Sequence, residues 1–334
     1  MTDRNKLMII YISIYRRLFM KKVLLPIIAV CLFMACVSTP PLPPLVDDDK
    51  NPGTNPELTV KIPDLFSPDP EIVDDTMKVS IEVKHPAPIR DWSITVQAQR
   101  QRLTQEQLEQ LQERREARQG TGQQRERRPF FEQTGIGTPP AEWIWNGRST
   151  SRISHGTGEM VQSATAYQFV LYVNDIYGNH STYEGTIEVD VIVRKDGNKL
   201  RIVVPAITFE GSSSNFSQVV ENRLSETEVS SNRRVLRLIA SALGKYPDYK
   251  ITIEGHANPL HAPNTTAGRN EVSTLKALSE QRARAVGKYL SENHEIAASR
   301  FNYIGAGADH VVVAFNDDDD EKWKNRRVEF ILVR

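Results

Sequence analysis

The chain has 334 residues, with 42 Lys and Arg balanced by 42 Asp and Glu, and 39% of its residues are hydrophobic. That length accommodates about two domains of ordinary size. The zero formal net charge excludes both a global basic field for nucleic acid and a strongly acidic solvating bias.

The first informative segment begins at Met20, read as the true start, where Lys21 and Lys22 lead into the apolar run Val23 to Ala35 and stop at Cys36. The run is roughly 13 residues, too short for a helix to cross a bilayer of about 30 Å, and a charged start before an apolar core marks a secretion signal. "LFMAC", with small Ala35 before the cysteine and bulky Phe33 three before it, resembles the lipobox of bacterial lipoproteins. The resemblance implies that residues 1–36 are a signal segment and that Cys36 carries acyl chains; Cys31, after Val30, is a weaker acceptor. An ordinary cleaved signal peptide is the other reading. With Cys36 acylated the mature chain has no second cysteine, so packing alone must stabilise it in an oxidising compartment.

Residues 37–57, rich in Pro, Asp and Asn and without apolar periodicity, read as a linker. From 58 to 196 the pattern is β. "MKVSIEV" puts Met77, Val79, Ile81 and Val83 on one face, and "YQFVLYV" does the same with Tyr167, Phe169, Leu171 and Val173. A turn at Gly178-Asn179 and the returning strand "TIEVDVIV" follow, and Trp92, Trp143 and Trp145 are candidates to fill the core of an antiparallel sandwich. The succession "FSPDPEIVDDTMKVSIEV", "WIWNG", "AYQFVLYVNDIYGN" resembles the Ig-like modules of flagellar hook-capping proteins. Between these strands, at about 99–138, lies an insertion crowded with Gln, Glu and Arg, whose Leu103, Leu108 and Leu111 give only a thin apolar stripe. It reads as a solvated excursion, or as a surface for anionic lipid or polymer.

Residues 198–334 alternate strand and helix in the order β-α-β-α-β-β, which predicts a mixed sheet covered by helices, so the fold class is α+β overall. Val235, Leu238, Ile239, Ala242 and Leu243 form the apolar face of the first helix, which ends near Pro247; a second is expected over "LSEQRARAVGKYLSEN", with Ser279 as N-cap, Glu280 in its first turn, and Ala283, Val286 and Leu290 facing inward.

Four stretches in this part, "IEGH", "LSEQRA", "YIGAG" and "NRRVEF", occur in the order and spacing of the OmpA-like peptidoglycan-binding domain, which the region resembles. The resemblance implies a partner, the diamino acid of peptidoglycan stem peptides, whose ammonium and carboxylate call for a carboxylate acceptor beside a cationic fork. The fork falls on Arg282, expected near a helix N-terminus that would favour an anion. The carboxylate falls on Asn258, within "GHAN", where the family has Asp, and Ala257 replaces a Thr. The loop from Asn258 to Leu278 is several residues longer than in the family, and an Asn common there just before the "LS" pair has no counterpart. Asp317 or Asp320 of the run "NDDDDEKW" is a candidate substitute acid, the other reading being a solvated acidic loop. Asn325, Arg326 and Arg327 match the family's terminal motif, as contacts to the wall peptide or as braces of the sheet.

Nothing in the chain predicts an enzyme. His256 and His261 share a loop without further ligands at metal-binding spacing, Ser212 to Ser214 have no paired base, the Asp run lacks calcium-loop spacing, and there is no phosphate-cradling glycine loop. No catalytic residue, metal or cofactor is therefore expected. Two functions remain: a lipoprotein anchored in the outer membrane, with its globular part in the periplasm, that holds peptidoglycan non-covalently; or a scaffold that has lost or weakened wall binding at Asn258 and engages an exported protein through the Ig-like part.

Overall fold

The computed structural model describes residues 42–46, 50–69, 71–72, 75–99, 129–150, 158–315 and 319–334. The signal segment with Cys31 and Cys36, the leucines Leu103, Leu108 and Leu111, and Asp317 lie outside the described residues, as does the side chain of Asp320. All the elements below belong to one compact unit, Pro44–Arg334.

Seven strands make two antiparallel sheets. β1 (Glu57–Lys61), β2 (Met77–Lys84) and β5 (Glu142–Trp145) form one, in the order β1-β2-β5. β3 (Ile89–Ala98), β4 (Phe131–Ile136), β6 (Ala166–Asp175) and β7 (His180–Glu188) form the other, in the order β4-β3-β6-β7. The period of two read from the sequence is the one that packs them. Met77, Val79 and Ile81 from the first sheet and Tyr167, Phe169, Leu171 and Val173 from the second are buried in a single cluster, with Trp92, Trp143 and Trp145. Trp143 and Trp145 alternate with exposed Ile144 on β5 and stack at 5.9 Å.

Two details depart from the sequence reading. β4 lies inside the stretch read as a charged insertion; it pairs with β3 from Asp91↔Ile136 to Val96↔Phe131, and buried Phe130 precedes it. Only its charged neighbourhood had hidden it. Part of the stretch read as linker is also fastened to the β6–β7 hairpin. Val46 N donates to Ile176 O, Asn179 Nδ2 donates to Asn51 Oδ1, and Ser181 Oγ donates to Pro56 O.

The C-terminal part is a five-stranded mixed sheet in the order β11-β10-β12-β9-β8, comprising β8 (Arg194–Asp196), β9 (Lys199–Val204), β10 (Lys250–His256), β11 (Phe301–Gly307) and β12 (Val328–Val333). Only β10 and β11 are parallel. Helices α1 (Glu226–Gly244) and α2 (Thr266–His294) complete the order β9-α1-β10-α2-β11-β12. α1 starts at a capping box in which Ser225 accepts from Glu228 N while the Glu228 carboxylate accepts from Ser225 N. Its Val235, Ile239 and Leu243 pack with Ala283, Val286 and Leu290 of α2 over Ile251, Ile253 and Phe330 of the sheet.

α2 meets the sheet backbone to backbone. A Cβ on Gly255 would lie 2.0 Å from Ser279 O, and one on Gly305 would lie 2.1 Å from Lys276 O. Neither carbonyl can yield without moving the helix, so we expect Gly255→Ala to destabilise the protein by about 3 kcal/mol, read from the midpoint of chemical denaturation. An unchanged midpoint would show that the helix can retreat freely.

The β6–β7 turn carries a second constraint. Buried Asp175 accepts from Tyr177 N and Asn179 N at 2.8 Å each, from Asn179 Nδ2 at 2.8 Å and from His85 Nε2 at 2.8 Å. Burial alone would raise its pKa; the hydrogen bonds from Asn179, His85 and Tyr177 outweigh burial and hold it below the usual carboxylate value. A folded pKa below the unfolded value of about 3.9 means the contribution is complete above that pH and is lost as pH falls through the folded value. Asp175→Ala should therefore cost about 3 kcal/mol at pH 7 and flatten the acid limb of stability against pH, measured by denaturant unfolding at several pH values.

Candidate functional site

The site grows from the C-terminal end of β10. His256 ends the strand and donates its backbone N–H to Arg327 O at 2.9 Å. The chain then loops through residues 257–265 and enters α2, where Thr265 Oγ1 accepts from Gly268 N at 3.0 Å as the N-cap. Glu271 on the first turns of α2 fastens the loop: one carboxylate oxygen accepts from Leu260 N and His261 N, and the other lies 3.0 Å from His261 Nδ1.

This start corrects the sequence reading of α2. Ser279 is not an N-cap but a fully buried residue in mid-helix, whose hydroxyl donates to Lys276 O at 3.0 Å and accepts from Gly307 N at 2.9 Å. The sequence from Thr266 onward holds no proline, and buried Leu275 extends the apolar face, so the helix propagates back to the Thr265 cap. Much of the stretch expected to be a long loop is thus helix. Arg282 consequently sits about four turns from the helix start, where the dipole field expected to favour an anion has faded.

Arg282 is buried at 9% exposure and is gripped by the connection between β9 and α1. Its Nε donates to Ser213 O at 2.9 Å, its Nη2 to Glu210 O at 3.4 Å, and its guanidinium carbon lies 4.8 Å from the centre of the Phe209 ring. All these acceptors are neutral carbonyls. The connection is itself held by Asn232 of α1, which accepts from Thr208 N and donates to Thr208 O and Phe216 O. Sequence reasoning missed Phe209, Glu210, Ser213 and Asn232. Only Asn232 left a signal there, a polar residue on the apolar stripe of α1.

Among the described residues the charge that acts on Arg282 is that of another arginine, Arg326. Burial, then the nearby Arg326, pushes the Arg282 pKa down to about 10; burial brings Arg326 down to about 10 as well. Half-buried Arg326 makes no side-chain hydrogen bond or ion pair among the described residues; its backbone N–H donates to Trp323 O. Among the described residues neither guanidinium pairs with a carboxylate, and buried like charges that act on one another form a site that an anion would stabilise.

Asn258 and Asn325 are brought together. Asn325, 1% exposed, accepts at Oδ1 from Val312 N (2.8 Å) and Val313 N (2.9 Å) and donates from Nδ2 to Val313 O (2.8 Å) and Asn258 Oδ1 (3.0 Å). The first three bonds fix which end of the Asn325 amide is the donor. Half-buried Asn258 must therefore turn its carbonyl to Asn325, leaving its own NH2 for a ligand. The position that would hold an acceptor carboxylate presents a donor.

Arg327 belongs elsewhere. It donates from Nε to Glu329 Oε1 at 2.7 Å and from Nη2 to His310 O at 3.0 Å. Glu329 also takes Arg201 Nη1 at 2.5 Å, and His256 Nε2 lies 3.1 Å from Glu254 and 3.4 Å from Glu329. The contact with His256 holds the Glu254 pKa below the usual carboxylate range against the opposing effect of burial. Among the described residues, no group of three or more His, Cys, Asp or Glu side chains could hold a metal ion. No helix among them is long and apolar enough to cross a membrane.

The OmpA family model matches residues 221–326, a span that holds Asn258, Arg282, Asn325 and Arg326. No curated protein matches the chain. Among solved structures, a MotB-like protein from Desulfovibrio vulgaris is similar at 18% identity, over 43% of this chain and 82% of its own, with a TM-score of 0.32. The cell wall anchor of the T6SS from Pseudomonas aeruginosa is similar at 22% identity, over 43% of this chain and 87% of its own, with a TM-score of 0.31. An outer membrane protein from Borrelia burgdorferi B31 is similar at 23% identity, over 43% of this chain and 97% of its own, with a TM-score of 0.27. The family match covers α1, β10, α2 and β11, and the flanking β9 and β12 complete the β-α-β-α-β-β order and the mixed sheet around it: residues 221–326 of this chain are OmpA-like.

Proposed function

We propose that the chain is a non-enzymatic envelope lipoprotein that binds peptidoglycan non-covalently through its C-terminal domain and couples the outer membrane to the cell wall. In this reading Cys36 carries the lipid, residues 37–57 link it to an Ig-like module at 58–196, and residues 198–334 contact the wall from the periplasm. The observation that carries the reading is the pair Arg282 and Arg326, two buried guanidinium groups that, among the described residues, have no counter-carboxylate, inside an OmpA-like domain. Guanidinium forks suit the carboxylate of a stem peptide. No covalent step is needed.

A second reading is favoured by Asn258, whose carbonyl is engaged by Asn325 and whose free end is a donor. A ligand ammonium finds no acceptor there, so wall binding is weakened and the domain serves as a scaffold, the Ig-like module engaging an exported protein.

Co-sedimentation of the full-length protein with isolated sacculi separates the two. On the first reading the wild type pellets, Arg282→Ala stays in solution, and Asn258→Asp binds about tenfold more tightly through one added charge-assisted hydrogen bond. A wild type left in the supernatant while Asn258→Asp pellets would overturn the first reading in favour of the scaffold.

A further inference from the structure

A cleft of about 520 Å3 opens between the two modules, in the size range of small-molecule sites. Arg148 and Met160 line it from the sandwich, Arg194 and Val203 from β8 and β9, and Lys324 and Arg327 from the approach to β12. Its two acidic residues are already neutralised. Glu159 holds Lys324 Nζ at 2.6 Å, and Glu329 holds Arg327 and Arg201 at 2.7 and 2.5 Å. Lys324 is also 2.6 Å from Glu321.

Two cations of the lining lack a hydrogen-bonded carboxylate among the described residues. Among those residues the Arg148 side chain donates to the neutral Gly158 O alone, from Nη1 at 2.9 Å. Arg194 makes no side-chain hydrogen bond or ion pair among the described residues. Burial of its charge, then the presence of Arg148, lower the Arg194 pKa against the smaller opposing effect of Glu159, although the residue as a whole is exposed. A third cationic group on the same lining, Arg327, has its Nη1 buried without a hydrogen-bond partner. The wall between them is partly apolar, through Met160, Ile192 and Val203.

We propose that this cleft binds a small organic oxyanion, a carboxylate or a phosphate ester, between the Arg148 and Arg194 guanidinium groups. A planar fork pairs with either group bidentately, and the apolar wall accommodates the carbon body of the ligand. The site is separate from the Arg282–Arg326 pair and stands or falls independently of wall binding.

Isothermal titration of the full-length protein with citrate, inorganic phosphate and glycerol 1-phosphate, at constant ionic strength, tests it. At least one probe should bind at a single site; citrate alone would identify a carboxylate ligand, and the phosphates alone a phosphate ligand. Arg194→Gln should weaken binding about tenfold or more, and Arg194→Lys should restore part of it. Arg194 bears the test because its side chain makes no hydrogen bond or ion pair among the described residues, whereas Arg148 also steadies Gly158. Arg282→Ala should leave binding unchanged. Absence of heat with all three probes at millimolar concentration would overturn the proposal, as would binding that survives Arg194→Gln or is lost only in Arg282→Ala.

Discussion

The backbone contact between α2 and the ends of β10 and β11 is the constraint on which the C-terminal domain turns. With Gly255 and Gly305 offering no Cβ, the helix sinks until the carbonyls of Ser279 and Lys276 lie against the strands. At that depth the Ser279 hydroxyl reaches Gly307 N. Arg282, one turn further along, is then carried into a pocket where it touches carbonyls of the β9–α1 connection and keeps only a small exposed area. A helix resting a side chain's thickness higher would leave Arg282 wet and its charge unremarkable.

The charge pattern follows from that depth. Burying two guanidinium groups that act on one another carries a cost in the empty domain, and among the described residues no carboxylate offsets it: the acceptors of Arg282 are peptide carbonyls, and position 258 carries an amide. Asn325 then decides what Asn258 can offer. Its amide, pinned by Val312 and Val313, has one hydrogen to give and points it at the Asn258 carbonyl, so a substitution that reads as a lost charge also reverses hydrogen-bond polarity. The site that results is made of donors.

Much of the scaffold was legible because it obeys simple periods. Alternation along β2 and β6 marked the residues that are fully or nearly buried, and the helical spacing of Ala283, Val286 and Leu290 marked the inner face of α2. Legibility failed where the controlling feature was not periodic. The Gln, Glu and Arg content around 99–138 concealed β4, whose burial is slight and whose identity rests on ladder hydrogen bonds to β3. The start of α2 was misplaced because "LSEQRA" resembles a helix opening, whereas the Thr265 cap lies thirteen residues before Leu278 and acts through one side-chain bond. Asn258 and Arg282 could be named from a motif, but the direction of the Asn258 amide depends on a loop distant in sequence, and no pattern of residues encodes it.

Four consecutive residues hold the consequences of this arrangement together. Lys324 reaches across to Glu159 of the sandwich, Asn325 turns inward to Asn258, Arg326 brings its charge to bear on Arg282, and Arg327 joins Glu329 at the inter-module cleft. The modules are also joined by Arg234 with Glu188 at 2.6 Å, and by Ala164 of the sandwich, which is buried in the C-terminal core. The donor site and the seam between modules are therefore built on one short stretch of chain, tied at Lys324 to Glu159 of the sandwich and at Asn325 to Asn258.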